Sequence, residues 1–205
     1  KFNIKLHLIG KNEKYLRNFQ VPLLGDHNVR NATSAVAVAL SLGIKLNVIR
    51  DALRNFKGVQ RRFNKIFSYK KIDFYDDYAH HPTEIKALLV GIRSVNKSRK
   101  IISVFQPHRF SRVKLLKKEF ASAFKLCNEV VLCPIYSAGE KVDKNFNYHK
   151  FGKLISKKSN VKVVILESEH DLLNYFKKNL FDDELVVCMG AGSISSWIKN
   201  ISKKI

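Results

Sequence analysis

Apolar and polar residues alternate at the start of the chain: Phe2, Ile4, Leu6 and Leu8 are separated by Asn3, Lys5 and His7. A repeat of two puts the apolar set on one face of a half-buried strand. After Pro22 and Gly25 the repeat changes. From Asn28 to Leu42, the residues Ala32, Ala35, Val36, Ala39 and Leu40 fall on helical spacing, and Gly43 stands where a helix C-cap is expected. A second helix is expected from Leu46 to Phe56, with Gly58 just beyond it.

From residue 72 onward, short runs rich in Val and Ile predict strands at Ile72–Tyr75, Lys100–Phe105, Glu129–Cys133, Val161–Leu166 and Leu185–Met189. Helix-like stretches lie between them at Pro82–Val95, Arg109–Leu126, Asn147–Lys157, Glu169–Asn179 and Ser193–Asn200. This alternation predicts an α/β fold with a mostly parallel sheet covered on both faces, because parallel neighbours need crossovers of helix length. In such sheets ligands gather beyond the C-terminal ends of strands. A domain is expected to start near Arg62. The residues before it read as the end of a domain that begins upstream, and a chain starting at Lys1 instead of Met is expected to be a piece of a longer protein.

Charge changes this picture only a little. The chain carries 38 Lys and Arg against 17 Asp and Glu, a formal +21, a balance that favours polyanions such as nucleic acid or a membrane surface. The lysines are scattered along the chain without interleaved aromatic residues, so neither a dedicated nucleic-acid surface nor a membrane partner is expected. No run of about 18 apolar residues is present. The three cysteines, Cys127, Cys133 and Cys188, form no C-x-x-C pair and have no His at zinc-finger spacing. Neither a disulfide framework nor a metal site is predicted, and a reducing cytoplasm is the expected compartment.

Four polar constellations carry candidate chemistry. In Gly25-Asp26-His27-Asn28-Val29-Arg30-Asn31, two carboxamides three residues apart share a helical face. They suit either a base edge or helix capping. Gln60-Arg61-Arg62-Phe63 sets paired arginines near the expected boundary, either for phosphate or as a surface charge pair. Tyr75 to Glu84, YDDYAHHPTE, follows a strand. There Asp77 could accept from ribose hydroxyls and His80 could orient or deprotonate an amine, while Pro82 and Glu84 suit the first turn of a helix. In Gln106 to Arg112, QPHRFSR, Arg109 and Arg112 are spaced to converge on one carboxylate. Two cations at a helix start oppose its dipole, a conflict that a ligand anion would resolve. Cys188-Met189-Gly190-Ala191-Gly192-Ser193 suits either a phosphate turn or close strand-to-helix packing.

Taken in order, GDHNVRN, GVQRRF, YDDYAHHPTE, FQPHRFSR, IYSAGEK (Ile135–Lys141) and CMGAGSIS resemble the Mur ligase family, and within it the branch that adds L-alanine. The resemblance implies that residues 1–61 end a central ATP-binding α/β domain and that 62–205 form a Rossmann-like C-terminal domain. It also implies ATP with Mg2+, and UDP-N-acetylmuramate and L-alanine as substrates joined through an acyl phosphate. By matching position, His27 and Asn28 would hold adenine with Asn31 in support, Arg62 the phosphates and Asp77 the ribose. Tyr78, His80, Arg109 and Arg112 would form the L-alanine pocket. No G-x-x-x-x-G-K-[ST] loop occurs in the 205 residues. The phosphate lysine and the metal ligands are therefore expected in an N-terminal half, and these residues alone are expected to be inactive. The alternative reading is a non-catalytic remnant that binds a nucleotide or a partner.

Overall fold

A computed structural model of the chain describes residues 1–6, 14–23 and 25–205, with Leu6 and Lys14 described by backbone only. It divides into two compact units, Lys1–Val59 and Gln60–Ile205.

In the first unit, β1 (Phe2–Leu6) pairs antiparallel with β2 (Lys14–Phe19), followed by α1 (Asp26–Ser41) and α2 (Leu46–Arg54). The expected extension of the first strand to Leu8 lies outside the described residues. Ile4, Phe19, Val36 and Ile49 are buried together as a small core. Helix α1 starts at Asp26 with Gly25 at the N-cap, two residues ahead of the expected start. Its end is the expected one. Gly43 takes a φ of 78°, its N–H donates to the Leu40 carbonyl at 3.1 Å, and Ile44 N–H donates to the Ala39 carbonyl at 3.0 Å. These paired bonds close the helix as a Schellman turn, which glycine adopts without a Cβ penalty.

The second unit is a six-stranded sheet in the order β3-β4-β8-β5-β6-β7. Strand β3 (Asn64–Tyr69) runs antiparallel to β4 (Ile72–Asp77). Strands β5 (Ile101–Phe105), β6 (Glu129–Leu132), β7 (Lys162–Ile165) and β8 (Leu185–Met189) join β4 in parallel. The crossovers are α3 (Pro82–Val95), the short α4 (Phe110–Leu115) and α5 (Lys117–Ala121), α6 (Tyr148–Ser159) and α7 (Glu169–Asn179), and α8 (Ile194–Ile201) follows β8. Side chains leave a strand alternately to its two faces, and both faces here are covered. From β5, Ile101 and Phe105 join the core under α3 to α6, whereas Ile102 and Val104 join the core under α7 and α8. That double burial is why the strands read as unbroken apolar runs.

Two expectations need correction. The helix expected over Arg109–Leu126 is divided: α4 ends at Leu115, α5 ends at Ala121, and Arg109 stands before the helix as its N-cap at a φ of 69°. Strands β2 and β3 were hidden in the sequence. The β3–β4 turn holds Lys70 and Lys71 at φ of 48° and 60°, the left-handed pair of a two-residue hairpin that Asn-Gly would have announced. Among the described residues, no helix is long and apolar enough to cross a membrane.

Candidate functional site

The register of the sheet builds the site. Asp77 pairs with Met189, Met189 with Phe105, and Phe105 with Leu132, so β4, β8, β5 and β6 end level with one another. The segments that follow, Tyr78–His81, Gly190–Ser193, Gln106–Arg109 and Cys133–Glu140, therefore leave the same edge of the sheet. This is the carboxyl edge at which doubly wound sheets bind ligands.

The segment after β4 is organised by its own side chains. Asp77 is buried, and its two oxygens accept from Ala79 N–H at 2.7 Å and Phe63 N–H at 2.8 Å. Burial nonetheless dominates and pushes its carboxyl up to about 6, against the pull of those bonds and of the Arg62 charge. Each oxygen keeps a second accepting site. At the start of α3, His81 is the N-cap and Glu84 closes a capping box, with Glu84 Oε2 accepting from His81 N–H at 3.1 Å and His80 N–H at 2.9 Å. His80 Nδ1 is 2.9 Å from the Tyr78 carbonyl. A carbonyl can only accept, so Nδ1 carries a proton, and in the tautomer protonated there alone the lone pair is on Nε2.

The segment after β5 is held from a distance. Arg109 N–H donates to the Tyr136 carbonyl and Tyr136 N–H to the Pro107 carbonyl, both at 2.8 Å. Ser111 donates to Glu140 through its N–H at 3.1 Å and also through its hydroxyl. A carboxylate of the chain itself thus stands at this helix start beside Ser111, and those bonds hold the Glu140 carboxyl below its usual range. Burial, then the neighbouring Arg112 charge, holds His108 below the ordinary imidazole value. Arg112 Nη1 stands 3.5 Å from His108 Nδ1. Arg109 is exposed, and its charge acts on both His108 and Glu140.

A row of rings links the segments. Tyr78 meets His80 edge-on at 5.1 Å, His80 meets His108 at 5.8 Å, and His108 stacks on Tyr136 at 5.7 Å. Tyr78, His80, Arg109 and Arg112 thus lie on neighbouring segments of one edge, joined by His108, Tyr136, Glu140 and Arg61, which the sequence argument had not selected. The motif IYSAGEK contained the signal for two of them. The glycine turn proves to be a packing turn: a Cβ on Gly190 would lie 2.6 Å from the Gln106 carbonyl oxygen, and one on Gly192 would lie 2.5 Å from the Tyr136 ring. Gln106 fastens that turn, its Oε1 accepting from Ile194 N–H at 2.9 Å and its Nε2 donating to Ser193 Oγ at 3.0 Å.

In the first unit, Asn28 and Asn31 lie within α1 and not at its cap, since Gly25 is the N-cap. Capping therefore accounts for neither. Arg62 is exposed, and its N–H donates to Asn64 Oδ1 at 2.9 Å. All three cysteines are free and buried, and burial pushes the thiols of Cys127 and Cys133 up to about 11 and about 12. They are unreactive at neutral pH.

Residues 61–192 match the Mur ligase, glutamate ligase domain, and the chain belongs to that family. It is 48% identical over 204 residues to the UDP-N-acetylmuramate–L-alanine ligase of Pelagibacter ubique, covering 100% of this chain and 44% of that protein. It is 39% identical over 194 residues to the ligase of the same name from Brachyspira hyodysenteriae, covering 95% and 42%. The chain therefore spans less than half the length of these curated relatives, and in the first it corresponds to the C-terminal part. Among solved structures, the UDP-N-acetylmuramate-alanine ligase of Thermotoga maritima superposes with a TM-score of 0.75 at 29% identity, over 93% of this chain and 40% of that one. A murein peptide ligase from Psychrobacter arcticus, at 20% identity and a TM-score of 0.70, shares the fold.

Proposed function

We propose that this chain is the C-terminal part of an ATP-dependent ligase that joins L-alanine to UDP-N-acetylmuramate in peptidoglycan precursor synthesis. The observation that carries this reading is the gathering of Tyr78, His80, His108, Arg109 and Arg112 at one edge of the sheet, in a chain whose whole length resembles ligases of that name. On this reading, Arg109 and Arg112 hold the alanine carboxylate as charged hydrogen-bond donors. His80, with the lone pair on Nε2, orients the amine and receives its proton as the amine attacks the acyl phosphate. Tyr78 forms a wall beside it. The acyl phosphate forms as the lactyl carboxylate takes the terminal phosphoryl group of ATP and ADP leaves, and the tetrahedral adduct of the amine then expels inorganic phosphate to leave the amide.

The nucleotide side is proposed in the same way. Residues 1–61 end an ATP-binding domain in which His27 and Asn28 face adenine with Asn31 in support, while Arg62 serves the phosphates and Asp77 the ribose. Mg2+ accompanies ATP. Among the described residues, no group of three or more His, Cys, Asp or Glu is arranged to hold a metal. We assign its ligands and the phosphate loop to an N-terminal part of the same enzyme, working in the cytoplasm where ATP and UDP-sugars are available.

The test joins this chain to an N-terminal part carrying a G-x-x-x-x-G-K-[ST] loop and measures phosphate released from ATP. Release that requires both UDP-N-acetylmuramate and L-alanine is expected. A joined protein that binds ATP but never turns over with L-alanine would leave the non-catalytic reading in its place.

A further inference from the structure

Arg61 and Arg62 look like one paired feature in the sequence, but their surroundings differ. We infer that Arg61 is a positioning residue for the amino-acid side of the site, holding the Tyr78 ring in place, and that Arg62 alone is left to serve the nucleotide. The inference rests on the functional reading above and divides its labour more finely.

Arg61 touches Tyr78 twice. Its carbonyl accepts from Tyr78 N–H at 2.7 Å, and its guanidinium carbon lies 4.7 Å from the centre of the Tyr78 ring. A guanidinium over an aromatic face is attracted by the ring quadrupole, and more strongly where water is reduced. The Arg61 side chain is only 24% exposed, and its Nη2 donates to the Gly190 carbonyl. The ring so held is the first of the row that continues to His80 and His108.

The charge of Arg61 is also committed elsewhere. Its Nε stands 3.7 Å from Oδ2 of Asp76, a residue only 1% exposed, and the same oxygen accepts from Ser195 Oγ at 2.5 Å. Asp76 Oδ1 and Arg61 Nε are both buried without a hydrogen-bond partner. A carboxylate so enclosed needs its counter-charge, because removing one member of a buried pair leaves the other uncompensated. Drawing Arg61 out to a phosphate would strand Asp76 and release Tyr78 together. Arg62 is under no comparable tie: it is exposed, its described hydrogen bond is made by the main chain, and its charge falls on Asp77. The backbone keeps the two apart. Arg61 and Phe63 both take left-handed φ, 60° and 51°, and Phe63 N–H is fixed on Asp77 Oδ2.

The experiment uses the joined ligase and, separately, this chain. In the ligase, Arg61→Lys keeps a positive charge for Asp76 but loses the planar group over the ring. It should raise KM for L-alanine about tenfold and leave KM for ATP within about twofold. Arg62→Ala should do the reverse. In a Tyr78→Leu background, Arg61→Lys should have no further effect on L-alanine, because the two residues then form one unit. If Arg61→Lys destabilises the fold, Arg61→Met with Asp76→Asn removes both charges together and carries the same expectation. In the chain itself, the Arg61 Nε–H proton resonance should sit upfield through the ring current and lose that shift in Tyr78→Leu. An unmoved resonance, equal effects of Arg61→Lys on both constants, or additive effects with Tyr78→Leu would each overturn the inference. Arg109→Ala separates the two levels. If it leaves KM for L-alanine unchanged, the functional reading falls and takes this inference with it. If it raises that KM while Arg61→Lys moves both constants alike, only the inference falls.

Discussion

The segments that follow β4 and β5 are equally dense in polar residues, yet they use them differently. After β4, most of the polar atoms serve the backbone: Asp77 holds Phe63 and Ala79, Glu84 holds His80 and His81, and His81 accepts from Thr83 N–H at 3.3 Å. The Tyr78 and His80 rings instead join the row that runs on to His108 and Tyr136. After β5, only Gln106 is spent on packing, and His108, Arg109 and Arg112 are kept in place by Tyr136 and Glu140 from a later crossover. The first segment is held largely by its own side chains, with Arg61 added at Tyr78. The second depends on a separate piece of chain, so its geometry can be altered without touching it.

Substitutions that break this contrast should follow in order of size. Asp77→Ala orphans the buried Ala79 N–H and the half-buried Phe63 N–H and should cost about 3 kcal/mol of stability, read from the urea midpoint. Its pH dependence has a definite sign. Burial raises the Asp77 carboxyl from 3.8 to about 6, so within that window the folded chain keeps a proton that the unfolded chain has lost. The margin of wild type over Asp77→Asn should therefore be widest at about pH 4 and narrow by at most about 3 kcal/mol on rising to about pH 7. A margin that widened instead would show that the backbone bonds outweigh burial.

Arg109→Ala should raise KM for L-alanine about a hundredfold in the joined ligase while changing stability by less than about 0.5 kcal/mol. A large loss of stability would make the second segment resemble the first. Gly192→Ala presses a methyl against Tyr136 and Gln106 and should cost about 2 kcal/mol, with poorer use of L-alanine as the ring row shifts. The smallest effect is expected for Glu140→Gln, a rise of about threefold in KM for L-alanine that shrinks at high salt. An unchanged KM would show that Ser111 and Arg109 hold their places without the carboxylate.

How legible these features were in the sequence depended on how local they are. The start of α3 could be read because Pro82 at its first position and Glu84 in its first turn are written within three residues. The β3–β4 hairpin could not, because its turn uses two lysines at positive φ in place of glycine or asparagine. The break at Leu116 between α4 and α5 leaves the apolar spacing intact and so left no mark. Tyr78, His80, Arg109 and Arg112 were legible as members of compact motifs. The supports of those residues were not: Ser111 meets Glu140 across 29 positions, and Arg61 meets Gly190 across 129. Only the strand register brings such pairs together.

The place of β8 has a consequence for how the protein comes into being. It is the last strand of the chain, yet it lies between β4 and β5, hydrogen-bonded to both. On the ribosome, β4 and β5 emerge before β8 and cannot become neighbours across the missing strand, so the tyrosine–histidine edge and the arginine edge stay apart until β8 is made. Slow nonlocal pairing of this kind leaves two apolar strand edges open in the meantime. A nascent chain stalled before Leu185 should therefore be a substrate for chaperones or proteases.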